Sequence, residues 1–229
     1  MSTETTAGAW LCKAHIAVNR HHRYSIEYTQ VLNLPILFTS DTCLPRSLAM
    51  IGSDDFPREE AMVRQLLRLD EAVLLGMCRW RPRILTLAMR ALTRCGDAST
   101  WIVVGLVLLA AGGPARHYGL QLGSAALIAT ILSQGLKRIC RRARPSSCIG
   151  GFTALMENPD AFSFPSGHTA AASAVAIALA GQGWLGPFHL GLALAIATSR
   201  VYLGAHYPLD IAAGGALGLI AGLLARALF

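Results

Sequence analysis

Five apolar stretches, about 98–115, 118–136, 169–183, 187–204 and 210–229, constrain this chain more than any other feature. Each approaches the roughly 20 residues that a helix needs to cross a bilayer. Small residues fill them, as in AAASAVAIALAG and GALGLIAGLLA, and small residues let membrane helices pack closely. Such stretches leave almost no polar face for a soluble globule. Only 14% of the residues are charged, against about 25% in soluble domains. Disordered and collagen-like chains are excluded by the high apolar content and the absence of a Gly-X-Y period. The expected fold class is all-α: a polytopic membrane helix bundle with about five transmembrane helices plus an N-terminal amphipathic helix.

The N-terminal region reads differently. Residues 1–58 mix Ser, Thr, His, Asn and isolated prolines with no sustained period, and are expected to form a poorly ordered extension. They lack the basic n-region and apolar h-region of a secretory signal. Met50 or Met62 is a candidate true start. The membrane-embedded domain is expected over 59–229. It opens with an amphipathic helix at 59–75, acids in its first turn. Helical spacing resumes at 83–95 after Pro82, and Arg79, Arg83, Arg90 and Arg94 are expected to share one interfacial face.

Charge is uneven. Residues 1–70 hold 7 Lys/Arg against 8 Asp/Glu, whereas 71–229 hold 13 against 5. A basic excess within an apolar half points to anionic headgroups or phosphate, not to nucleic acid. Six cysteines are too sparse for a disulfide scaffold. Cys140 and Cys148 flank one polar stretch, which leaves pairing and two free thiols both open.

Three polar segments interrupt the apolar pattern. In the first, Lys137, Arg138, Arg141, Arg142 and Arg144 crowd a membrane boundary before Pro145 ends the helix. Lys137, Arg141 and Arg144 fall at i, i+4 and i+7, one helix face. Arg138 and Arg142 read as headgroup anchors, and Arg141 is left undecided. The second segment, Pro165-Ser166-Gly167-His168, stands directly before an apolar helix. Ser166 or Gly167 can cap that helix, and its free amides form an anion site. His168 would stand in the first turn, able to donate a proton. In the third, Ser199-Arg200 leads to His206 and Asp210. Ionisable groups at the rim of apolar helices are costly and read first as functional. A carboxylate four residues after a histidine suggests an oriented imidazole whose other nitrogen is free to attack. Two spans separate the second segment from the third, so all three converge on one membrane face.

Lys137 with six residues before Arg144-Pro145, PSGH at 165–168, and Ser199-Arg200 with five residues before His206 and three more before Asp210 resemble a known signature. It is the three-part signature of the type 2 phosphatidic acid phosphatase superfamily, which includes the vanadium haloperoxidases, and the likeness covers roughly 70–229. Membrane members commonly have six spans. Here the first is missing or replaced by the segment at 59–95.

The resemblance implies that His206 attacks phosphorus to form a phosphohistidine, with Asp210 orienting it and His168 protonating the leaving alkoxide. Lys137, Arg144 and Arg200 would supply cations to the phosphate, with hydrogen bonds from Ser166 and Gly167. No metal and no cofactor are called for, because the cations already do the charge work, and Glu157 and Asp160 are the only loop acids. The expected substrate is a lipid phosphate or pyrophosphate: phosphatidic acid, phosphatidylglycerol phosphate, undecaprenyl pyrophosphate or the lipid A class. Phosphotransfer from the same site, or non-catalytic lipid binding, are the alternatives. The bilayer and the lipid substrate are the expected partners, with no nucleic acid and no oligomeric state specified. The expected location is a bacterial inner membrane with the site facing the periplasm.

Overall fold

A computed structural model describes residues 58–158 and 160–229. The expected extension at 1–58 therefore lies, but for Arg58, outside the described residues. The fold is all-helical. The elements are α1 (Arg58–Cys78), α2 (Arg83–Cys95), α3 (Ala98–Ala111), α4 (Gly113–Cys140), α5 (Pro145–Cys148), α6 (Gly167–Ala178), α7 (Leu185–Tyr202) and α8 (Pro208–Leu228). Among the described residues the one β feature is an isolated antiparallel bridge, Ala143 with Phe162.

The five apolar stretches become α3, α4, α6, α7 and α8. By length and composition, only α4 and α8 among the described residues can each cross a membrane alone. A third crossing arises if α2 and α3, bent by 55° at their break, are taken together. The stretch expected at 169–183 is helical only to Ala178, about 18 Å for twelve residues. Leu179 caps the helix, and Gly181 and Gly183, at φ 90° and 58°, turn the chain that follows away from it. Exposed Ile102, Leu106, Leu127, Ile131, Leu194 and Leu223 give the bundle an apolar outer surface, as a bilayer requires.

Helix α6 lies at the centre, packed against α4, α7 and α8. Its buried residues are mostly alanine: Ala170, Ala171, Ala172, Ala174, Ala176 and Ala178. Gly214, Gly218 and Gly222 of α8 face it one turn apart. A Cβ at these positions would stand 2.6 Å from the carbonyl oxygens of Ser166, Ala170 and Ala174 respectively. The two backbones therefore touch, which only glycine allows. This contact holds the PSGH turn, at the head of α6, against the start of α8.

Two local expectations are corrected. The basic helix ends at Cys140, before Pro145, because Arg141 adopts a left-handed conformation at φ 47° and its N–H closes the helix on the Lys137 carbonyl. Lys137, Arg141 and Arg144 therefore share no helix face, and Arg141 points outward, exposed. Likewise Arg79 lies between α1 and α2, off the face formed by Arg83, Arg90 and Arg94. Cys140 keeps a free thiol, so it is not joined to Cys148.

Candidate active site

The chain leaves α4, runs out through residues 144–161 and returns to α6. The Ala143–Phe162 bridge and the bond from Ser163 N–H to the Arg142 carbonyl (2.8 Å) close the base of this excursion. Its middle is tied to the α7–α8 turn by Leu155 N–H donating to the Leu203 carbonyl (2.8 Å). From outside, Arg90 Nη2 donates to the Leu155 carbonyl (2.8 Å) and Arg81 Nη1 to the Thr153 carbonyl (3.3 Å). The loop is thereby held over the spot where the three polar segments meet.

They do meet. Ser166 N–H donates to the Asp210 carbonyl (3.0 Å), joining the PSGH turn to α8. Arg144 Nη1 donates to the carbonyl of Ala205, the residue before His206 (2.7 Å). Lys137, Arg144, Ser166, Arg200, His206 and Asp210 are all buried. Gly167 and His168 open α6, whose first-turn amides have no intrahelical acceptors. Ser166 occupies the cap position, yet its side chain caps nothing and accepts instead from Thr169 Oγ1 (3.0 Å).

His206 is 1% exposed. Its Nδ1 lies 3.6 Å from Asp210 Oδ2, just beyond a hydrogen bond, and has no other partner among the described residues. Burial, and then the positive charges of Arg200, Arg144 and Lys137, push its pKa well below the ordinary value. The imidazole is therefore neutral, with a lone pair available. Asp210 is wholly buried and accepts from Tyr207 N–H (2.9 Å) through Oδ2 and from Arg142 Nη1 (2.7 Å) through Oδ1.

Arg142 overturns its reading as a headgroup anchor. It is 3% exposed and bridges Asp210 and Asp70, whose Oδ2 accepts from Nη2 at 2.7 Å. Its guanidinium also lies 4.1 Å from the Tyr207 ring centroid, a cation–π contact. Asp70, from α1, accepts in addition from Leu209 N–H (2.8 Å) at the start of α8. The amphipathic helix thus braces the site's carboxylate from behind.

The three other cations converge on the loop. Lys137 Nζ donates to Asp160 Oδ2 at 2.6 Å. Arg144 pairs with Asp160 Oδ1, and its Nε donates to the Asp160 carbonyl at 2.9 Å. Arg200 Nη2 donates to Asn158 Oδ1 (3.0 Å), while Nη1 meets Thr93 Oγ1 and Met156 Sδ, each at 3.0 Å. Burial works to raise the Asp160 pKa, but hydrogen bonds and charge from Lys137 and Arg144 prevail and hold it below the usual carboxylate value.

His168 Nε2 lies 2.7 Å from Asp97 Oδ1. Asp97 stands at the cap position of α3 without capping it. Sequence reading assigned no role to Asp97, to Asp160, which counted only as a loop acid, or to Asp70. A usable signal existed for the first two, since only five acids occur after residue 70. The site's surplus is cationic, and among the described residues no group of three His, Cys, Asp or Glu is arranged to hold a metal ion. Three cations, free helix-terminal amides and two imidazoles, one of them wholly buried, make an arrangement able to bind an oxyanion.

The chain is similar to known proteins in sequence and in fold. Residues 118–229 match the PAP2 superfamily. The chain is 37% identical over 165 residues to decaprenylphosphoryl-5-phosphoribose phosphatase of Mycolicibacterium smegmatis, covering 70% of this chain and 83% of that protein. It is 33% identical over 129 residues to undecaprenyl-diphosphatase of Sulfolobus acidocaldarius, covering 56% of this chain and 62% of that one. In fold it is similar to the crystal structure of Aquifex aeolicus LpxE, with a TM-score of 0.61 and 22% identity over 76% of this chain and 98% of that one.

Proposed function

We propose that this chain, which belongs to the PAP2 superfamily, is an integral membrane phosphatase that hydrolyses a lipid-linked phosphate or pyrophosphate through a phosphohistidine. Residues 59–229 form its catalytic domain. The observation that carries the reading is His206: a buried, neutral imidazole beside a buried carboxylate, ringed by Arg200, Arg144 and Lys137. A nucleophile in so cationic a pocket suits a substrate that is itself an anion.

The phosphoryl oxygens sit on Lys137, Arg144 and Arg200, with the Gly167 amide and the Ser166 hydroxyl beside them. Phosphoryl transfer is catalysed mainly by positioning and by stabilising charge on the equatorial oxygens. His206 Nε2 attacks phosphorus, the N–P bond forms and the P–O bond to the lipid breaks. Asp210 takes up the short remaining distance to Nδ1–H and stabilises the positive ring. His168, protonated beforehand with Asp97 as its counter-charge, gives that proton to the leaving oxygen. In the second step it takes one from water, whose oxygen attacks phosphorus as the N–P bond breaks. The side-chain cations supply the charge that a metal would otherwise supply.

The named relatives act on polyprenyl-linked phosphates. A polyprenyl or glycerolipid phosphate also fits a phosphate cradle at the end of apolar helices. Arg116 and Arg226, at the opposite ends of α4 and α8, support a site facing away from the cytoplasm, on the outer side of a bacterial inner membrane.

Phosphate release by the purified protein across a panel of lipid phosphates tests the reading. At least one should be hydrolysed without an added acceptor, and His206→Ala should lower the rate by about 10³-fold or more. A variant within tenfold of the parent would overturn the nucleophile.

A further inference from the structure

The cradle that should receive a phosphoryl group is already holding an anion of the protein's own. Lys137 and Arg144 are each 5% exposed, and both direct their charged ends at the Asp160 carboxylate. Arg200 is turned toward Asn158 Oδ1. The two carboxylate oxygens of Asp160 and the amide oxygen of Asn158 therefore lie where three phosphoryl oxygens would bind. The carboxylate is a bidentate anion of the kind guanidinium forks take, as they take phosphate.

This arrangement is not a closed core. The Asp160 side chain is 30% exposed, against 0% for Asp210. Asp160, Asn158, Met156 and Glu157 line a depression of about 550 Å³ that also reaches Arg144 and Phe152. Asp160 and Asn158 thus border open space, while the loop is fastened at Ala143–Phe162 and Leu155.

We propose that Asp160, with Asn158 beside it, is a specificity-determining residue that excludes phosphodiester headgroups and reserves the cradle for doubly charged phosphate. The inference rests on the reading above, in which the substrate's phosphoryl group occupies Lys137, Arg144 and Arg200. A site at the membrane surface faces a dense field of phosphodiesters, each with one negative charge. Bare cations there would be filled by bystander lipids. A tethered carboxylate competes at the effective concentration that its tether confers. A diester brings the same single charge as the carboxylate and one more ester substituent to accommodate, so the exchange gains it nothing. A terminal monoester or diphosphate brings about twice the charge to three cations in a desolvated pocket, where each added charge counts most, and it displaces Asp160.

Calorimetric titration of the purified full chain in neutral detergent tests this, with short-chain phosphatidylglycerol and inorganic phosphate as probes. Wild type should bind phosphate at least about tenfold more tightly than phosphatidylglycerol. Asp160→Asn should bind phosphatidylglycerol at least about tenfold more tightly than wild type, and Asp160→Ser should do the same should the amide variant misfold. Asp160→Glu should bind it as weakly as wild type. In turnover of a lipid monoester, added phosphatidylglycerol should raise the apparent KM of Asp160→Asn and leave that of wild type nearly unchanged. Equal phosphatidylglycerol binding by wild type, Asp160→Asn and Asp160→Ser would overturn the proposal. So would weaker phosphate binding in both neutral variants, which would make Asp160 a phosphate ligand. Gained diester binding with no hydrolysis of any monoester would refute the hydrolase reading alone. Hydrolysis with no gain in diester binding would refute the exclusion alone.

Discussion

Arg142 and Arg144 stand two residues apart, and each grips a carboxylate, yet the two pairs are opposite in kind. Arg142 lies between Asp70 and Asp210, whose side chains are 1% and 0% exposed. Both Nη atoms of Arg142 and the two carboxylates hold α1, the turn after α4 and the head of α8 together. Arg144 meets Asp160, a loop residue that water reaches. In the first pair the anion is locked in place, and one of its carboxylates, Asp210, stands 3.6 Å from His206. In the second the anion is exchangeable, and the cation is what matters. Burial of the carboxylate, not the chemistry of the pair, separates scaffold from binding site.

The largest effect should come from removing Arg142. Arg142→Ala strands two buried carboxylates, and breaking a buried pair in this way costs about 3–5 kcal/mol. Thermal unfolding in detergent should show it, and no added anion should restore the loss. Asp160→Asn also strands charge, on Lys137 and Arg144, but in a pocket an anion can enter. Its melting temperature should fall less and recover on adding inorganic phosphate, since a ligand of the folded state alone stabilises it. Recovery of the Arg142 variant by phosphate, or none in the Asp160 variant, would erase the distinction.

Asp97 and His168 form an intermediate case, with side chains 45% and 21% exposed. Asp97 is a positioning residue: it holds the ring that would serve as general acid and touches no other charged group of the site. Asp97→Asn should lower kcat for an alkyl phosphate by about 10–100-fold, the range of lost supporting contacts, with little change in melting temperature. An aryl phosphate, whose leaving group needs less help, should suffer several-fold less. The limb of the pH–rate profile that reports the acid should move, and Asp97→Glu should restore part of the rate. Equal losses on both substrates would assign Asp97 a merely structural part.

The contrast between the two arginines was illegible in the sequence, and the reason is local. Four arginines within 138–144 look alike, and a helical period distributes them wrongly because Arg141 leaves the helix at φ 47°. By contrast, Lys137, Ser166, Gly167, Arg200, His206 and Asp210 were legible because each sits at an end of an apolar segment. Counting spans between those ends was enough to bring them to one face. Partners supplied from a distance left no local trace: Asp70 meets Leu209 across 139 residues and Asp97 meets His168 across 71. The shortness of α6 was hidden for a similar reason. Gly181 and Gly183 read as small packing residues when their service is positive φ.

The smallest effect expected is also the most direct measure of the exchangeable pair. Asp160 has its pKa held down in the folded protein, chiefly by Lys137 and Arg144 acting against burial. A carboxylate so shifted stabilises the folded state above its unfolded value of about 3.9. That contribution is lost as pH falls through the lower, folded value, where the protonated group no longer answers the two cations. Wild type in phosphate-free detergent should therefore lose melting temperature, on going from pH 5 towards the folded pKa, by an increment that Asp160→Asn lacks. The increment should be small, because the group is partly solvated and screened. Over the same interval wild type should begin to bind phosphatidylglycerol as Asp160→Asn does at neutral pH, since protonation and amidation remove the same charge. Parallel melting curves for the two proteins down to the acid limit would mean that the carboxylate contributes nothing to holding the cradle closed.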